Sequence, residues 1–61
     1  MPHVNIKMFE GRTLDQKRAM VKKVTEVICE TSGCKPDAVS IIIEEMKKEH
    51  SAREGILACD R

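Results

Sequence analysis

The sequence predicts a small α/β protein: a βαβ unit with parallel strands, followed by a short C-terminal hairpin. Three observations carry that prediction. Residues 2–9 alternate between apolar and polar side chains, the period of a half-covered strand. After Thr13, apolar side chains recur at helical spacing for roughly 20 residues. Residues 38–46, Ala-Val-Ser-Ile-Ile-Ile-Glu-Glu-Met, are rich in β-branched side chains and read as a second strand. Strand, helix and strand in that order make the two strands parallel neighbours joined by a right-handed crossover.

Each element has a local justification. In the first strand Val4, Ile6 and Met8 share one face, and His3, Asn5, Lys7 and Phe9 the other. Glu10-Gly11-Arg12 breaks the alternation, with Gly11 free to turn. Thr13 and Gln16 stand three residues apart, the pattern of a helix capping box. Leu14, Met20, Val21, Val24, Val27, Ile28 and Thr31 then form one stripe, with charged side chains opposite. Gly33 is a natural left-handed stop, so the helix should end near Ser32. The second strand is apolar on both faces, which predicts cover on both sides. The charged tail turns at Gly55 and gives Ile56, Leu57 and Ala58, an apolar patch suited to a hairpin that docks on another subunit.

The chain has 61 residues, enough for a single domain over 1–61. A chain of this size buries only about 60% of its unfolded surface. It ordinarily needs disulfides, a metal or partner subunits. The three cysteines, Cys29, Cys34 and Cys59, are odd in number and irregular in spacing, so they do not read as a disulfide framework. With His3 and His50 they lack the tight pairs of a zinc site, and no metal is expected. Homo-oligomerisation is the expected source of stability. The residues carry 11 basic and 10 acidic charges, and Phe9 is the sole aromatic, so nucleic acid is not an expected partner. No apolar run suits a membrane span, and no signal segment is visible, which predicts a cytoplasmic protein.

Two residues could do chemistry. Met1 before proline is normally removed in the cell, which would leave Pro2 as a secondary amine at the chain terminus. An α-amino group titrates near 8 and is lowered by burial or by nearby cations. A base poised near neutrality suits proton abstraction beside a carbonyl. The plain alternative is a start-site proline without consequence. Arg12, between the first strand and the helix, could hold a substrate carboxylate by two parallel hydrogen bonds. Its alternative is a solvated loop arginine pairing with Glu10 or Asp15.

Met-Pro at the start, Glu10-Gly11-Arg12-Thr13, Asp15-Gln16-Lys17, the strand Val39-Ser40-Ile41-Ile42-Ile43 before Glu44-Glu45-Met46, and His50 with Gly55 together resemble the 4-oxalocrotonate tautomerase family. The resemblance covers nearly the whole chain. It implies a βαβ chain that pairs into a four-stranded sheet with two helices, commonly three such dimers in a hexamer. It implies a cofactor-independent isomerase that moves a proton between an enol oxygen and a carbon of a 2-hydroxy or 2-oxo unsaturated carboxylic acid. Pro2 would be the general acid/base and Arg12 the carboxylate anchor.

The sequence departs from the family pattern at two points. Ser40 stands where members carry a second-strand arginine that binds substrate, and Ser51 where an aromatic residue lines the pocket. Arg53, in the altered segment after Ser51, could supply the missing cation from a neighbouring subunit; the alternative is a surface arginine beside Glu54. Two other functions stay open on this scaffold. One is proline-dependent dehalogenation or hydration, which needs a water-activating carboxylate. The other is a non-catalytic accessory subunit, which the loss of the arginine at Ser40 would favour.

Overall fold

The computed structural model describes all of residues 1–61. Strand β1 runs His3–Phe9, helix α1 Leu14–Ser32 and strand β2 Ser40–Met46. Strands β3 (Ala52–Arg53) and β4 (Ile56–Leu57) close the chain as a hairpin. β1 and β2 pair in parallel from His3 opposite Ser40 to Phe9 opposite Met46. The predicted βαβ unit and hairpin are therefore both present.

The helix is bounded by the signals the sequence offers. The Gln16 N–H donates to Thr13 Oγ1 at 3.1 Å, and the Thr13 N–H to Gln16 Oε1 at 2.8 Å. Together they satisfy two donors that a helix start otherwise leaves open. At the far end Gly33 has φ 68° and its N–H donates to the Cys29 carbonyl at 3.0 Å. The hairpin turn uses Glu54 and Gly55, both at positive φ, as a two-residue type I′ turn requires.

Three expectations need correction. Pro2 lies outside β1, and the second strand starts at Ser40 rather than at residue 38. Pro36–Ala38 instead forms a 3-10 turn, whose first position suits the fixed φ of proline. On α1 the covered stripe is Met20, Val21, Val24, Thr25, Ile28 and Cys29, while Leu14, Val27 and Thr31 are exposed. Leu14 and Thr31 lie in the end turns of the helix, and Val27 lies on the flank of the covered face. Within one chain β2 is covered on one side only, and the sequence assigns the second cover to subunit packing. Ile41 and Ile43 face α1 and are half-buried, but Ile42 on the outer face is 59% exposed.

The half-buried sides of β1, β2 and α1 form a thin apolar layer, and the Lys17 ammonium pairs with the Glu45 carboxylate at its edge. No residue is fully buried. The accessible surface is 4980 Å², against about 4000 Å² for a compact protein of 6.9 kDa. The radius of gyration is 14.6 Å, against about 10.5 Å for a compact 61-residue domain. The excess of about 1000 Å² is of the order that one standard protein–protein interface covers per partner.

Candidate active site

β1 separates the two residues the sequence singles out. Pro2 precedes the strand and Arg12 follows it. Seven residues at about 3.3 Å each put roughly 23 Å between the strand's ends. Pro2 is half-buried and held by the ladder, because its carbonyl accepts the Ser40 N–H at 3.0 Å. Ser40 thus shares an end of the sheet with Pro2. Met1, beyond it, is 85% exposed.

Arg12, Ser51 and Arg53 meet at the other end. They line a cleft of about 810 Å³ between the C-terminal end of β1, the end of β2 and the hairpin. Its position follows from local structure. Gly11, at φ 121°, turns the chain out of the strand. The Glu10 N–H still donates to the Met46 carbonyl at 2.9 Å, which fixes the strand ends beside Arg12. The Ala58 N–H donates to the Ser51 carbonyl at 2.8 Å and closes the tail over the cleft.

The cleft is cationic. Lys7, Arg12, Lys48, Arg53 and Arg61 line it, and Glu10 is the single carboxylate side chain among its walls. None of the five cations forms an ion pair within the chain; the three pairs present are Lys17–Glu45, Arg18–Asp15 and His50–Glu49. Arg12 therefore pairs with neither Glu10 nor Asp15. The latter is taken by Arg18 at 2.9 Å. Arg53 likewise makes no ion pair with Glu54. Unpaired guanidinium groups around a cleft favour an anion, and a planar carboxylate can take two parallel hydrogen bonds from one of them. Phe9 and Met46 add an apolar wall for an unsaturated carbon chain.

Sequence reasoning missed Lys7, Lys48 and Arg61 as cleft residues. Lys7 was legible only as an outward position of β1. Lys48 and Arg61 come to the cleft through the 3-10 turns Lys48–His50 and Ala58–Asp60, for which no periodic signal exists. No cluster of three or more His, Cys, Asp or Glu side chains is arranged to hold a metal ion. No helix is long and apolar enough to cross a membrane.

A βαβ chain with a short closing hairpin and a cationic cleft at the foot of its first strand is the architecture of a small α/β enzyme. The chain belongs to the tautomerase family, whose model, described as tautomerase enzyme, matches residues 2–60. It is similar to 2-hydroxymuconate tautomerase of Bacillus subtilis (strain 168), with 51% identity over 55 residues, 90% of this chain and 89% of the relative. The crystal structure of YwhB, a homologue of 4-oxalocrotonate tautomerase, matches with TM-score 0.94 and 47% identity over 98% of each chain. A heterohexamer 4-oxalocrotonate tautomerase from Chloroflexus aurantiacus J-10-fl matches with TM-score 0.92 and 25% identity, over 98% of this chain and 97% of that one. The protein is thus an isomerase enzyme with tautomerase activity.

Proposed function

We propose that the chain catalyses proton transfer between the enol oxygen and a carbon of a 2-hydroxy/2-oxo unsaturated carboxylic acid, in a site shared between copies of the chain. The observation that carries this reading is the unpaired cationic cleft at the foot of β1, a strand's length from Pro2. A base and an anion anchor beyond opposite ends of a strand roughly 23 Å long cannot both grip one small acid within a single chain. In a symmetric assembly, Pro2 of one copy meets the cleft of another.

The chemistry then follows. After Met1 is removed, the Pro2 nitrogen carries a free electron pair. It takes the proton of the enol hydroxyl, and the oxygen's electrons form the ketone as the double bond shifts along the chain. The protonated pyrrolidine returns that proton to a conjugated carbon, so no atom is gained or lost. Arg12 holds the carboxylate in a two-pronged grip. Arg53, from the same cleft, supplies a second cation toward the 2-oxygen or a second carboxylate, in place of a cation at Ser40. Cations near the bound substrate also lower the proton affinity of Pro2. Ser51, half-buried in the cleft wall, offers a hydroxyl to the substrate. The 61-residue unit acts as one domain in a homo-oligomer, a hexamer built as a trimer of dimers or a dimer. The similarity to a heterohexameric enzyme supports the hexamer.

A second reading has one observation in its favour. Glu10 lies in the cleft wall beside Arg12, where a carboxylate could activate water for dehalogenation or hydration. The test is ketonisation of phenylenolpyruvate and loss of a 3-haloacrylate, both followed with protein whose intact mass lacks Met1. Turnover of the enol that is lost in Pro2→Ala supports the tautomerase reading. Turnover of the haloacrylate alone, lost in Glu10→Gln, transfers the assignment to the second. Turnover of neither shifts the assignment to a more specialised substrate or to an accessory role.

A further inference from the structure

We propose that Lys7 is a further substrate-binding residue of the cleft, kept free for a carboxylate by a hydrogen bond between Asn5 and Glu44. This role rests on the cleft being the seat of the anionic substrate. The strand pairing frames the question. Asn5 and Lys7 lie on the exposed face of β1, and Glu44 shares the exposed face of β2 with Ile42. In the register Lys7 stands directly opposite Glu44. Opposite charges at facing positions of a sheet ordinarily attract each other. Yet the ion pairs of the chain do not include Lys7 with Glu44. The Glu44 carboxylate is engaged elsewhere, because its Oε1 accepts a hydrogen bond from Asn5 Nδ2 at 2.8 Å. Asn5 stands opposite Ile42, two residues nearer the start of β1. The bond therefore draws the carboxylate toward the head of the sheet and away from its foot.

Lys7 is left at the foot. It lines the cleft beside Phe9 and Met46, whereas neither Asn5 nor Glu44 does. A Lys7–Glu44 pair would neutralise one of the cleft's cations and bring a second carboxylate to the wall that holds Glu10. An amide prevents this at no cost in charge, since its N–H donates to the carboxylate without using up a cation. Asn5 is thus a positioning residue that acts on the cleft through Glu44 and Lys7.

Lys7 and Arg12 differ in what they offer an anion. A planar guanidinium takes both oxygens of one carboxylate, and an ammonium is a compact point charge on a flexible stem. Arg12 then fixes the orientation of the acid, while Lys7 meets a single oxygen whose place varies with the substrate. The backbone of Lys7 is set by the β1–β2 ladder, so only its side chain moves to make that contact. With Lys7 free, the cleft selects for negative charge more strongly than Arg12 and Arg53 alone allow.

The experiment measures phenylpyruvate binding by titration calorimetry and phenylenolpyruvate ketonisation by steady-state kinetics, both on assembled protein that lacks Met1. Lys7→Gln should raise Kd and KM about fivefold, the upper range for an exposed charge pair, with a smaller change in kcat. Lys7→Arg keeps the charge and should restore most of the affinity. Asn5→Ala releases Glu44 to Lys7 and should raise both constants about twofold, and adding Glu44→Gln should return them to the wild-type values. In a Lys7→Gln background Asn5→Ala should add nothing, because its effect runs through Lys7. Unchanged constants in Lys7→Gln and Asn5→Ala overturn the proposal, as does an Asn5→Ala loss that persists without Lys7. Wild-type protein that binds no phenylpyruvate overturns it too. Binding without turnover of the enol refutes the proton-transfer reading instead, and the Kd comparison still decides the role of Lys7. If Lys7→Gln fails to assemble, Asn5→Ala, which alters no charge, decides in its place.

Discussion

If the site is divided between copies as proposed, two inactive variants should restore each other. Pro2→Ala removes the proposed base, and a positioned general base ordinarily contributes about a hundredfold or more. Arg12→Ala removes a charge-assisted grip on a carboxylate. At about 1.5–3 kcal/mol this corresponds to roughly 10- to 150-fold in kcat/KM. The two side chains sit beyond opposite ends of a strand of seven residues, roughly 23 Å long. A hydrogen-bonded reaction geometry tolerates separations of only about 3 Å. The residues that meet on one substrate must then come from different copies. When the variants are co-refolded in equal amounts, half the copies offer an intact proline and half an intact arginine. Random pairing leaves about one quarter of the sites complete in a symmetric oligomer. The assay is initial rate with phenylenolpyruvate at fixed total protein, with each variant alone and with the refolded mixture. Recovery to about a quarter of the wild-type rate is expected. A mixture no faster than the average of its two components would show that Pro2 and Arg12 act from the same chain, and the reasoning from strand length would fail.

Three further outcomes follow from the same geometry. Thr13→Ala breaks one half of the capping box and should destabilise the fold by about 1 kcal/mol, read as a lower midpoint in urea with unchanged slope. Arg53→Ala should lower kcat/KM by roughly tenfold for a substrate with two carboxylates and by less for one with a single carboxylate, which steady-state kinetics on such a pair would check. Ile42→Lys places a charge on the exposed outer face of β2 and should split the assembly into smaller species in sedimentation velocity; an unchanged sedimentation coefficient would exclude that face as an interface.

The fold was legible where local signals coincide. Thr13 and Gln16 at the start and Gly33 at the end fixed α1 to the residue, because capping is a matter of a few backbone hydrogen bonds between near neighbours. The alternation of β1 likewise placed Val4, Ile6 and Met8 on its covered side. The start of β2 was harder, since Ala38 and Val39 suit a strand by side chain and only Pro36 signals the turn that precedes it. The candidate site divided in the same manner. Pro2 and Arg12 stood out by position and chemistry. Lys48 and Arg61 did not, because what gives them a role is the folding of the tail onto the ends of β1 and β2. That arrangement rests on contacts between residues far apart in sequence, such as the Glu10 N–H to Met46 bond. No spacing along the chain records them.

The same features that leave the chain under-covered also bear on how the site could work. A general base must be held within about 0.5 Å of its productive position by packed neighbours. Pro2 has only the Ser40 N–H and a half-covered surrounding to hold it, in a chain where no residue is fully buried. Segments with few apolar contacts lie at the low-stability end of a fold, because local order rises with the contacts that support it. Cover on the outer face of the sheet, where Ile42 lies two residues beyond Ser40, would immobilise the strand that carries Pro2. Assembly and catalysis then draw on one physical requirement. Covering the excess surface of the slab stabilises the fold, and it also turns a flexible terminal amine into a positioned base. Dilution that dissociates the oligomer should therefore abolish kcat before it unfolds α1, with activity and sedimentation changing together and helical circular dichroism changing later. Loss of helix at the same dilution as loss of activity would mean that assembly supports the fold alone.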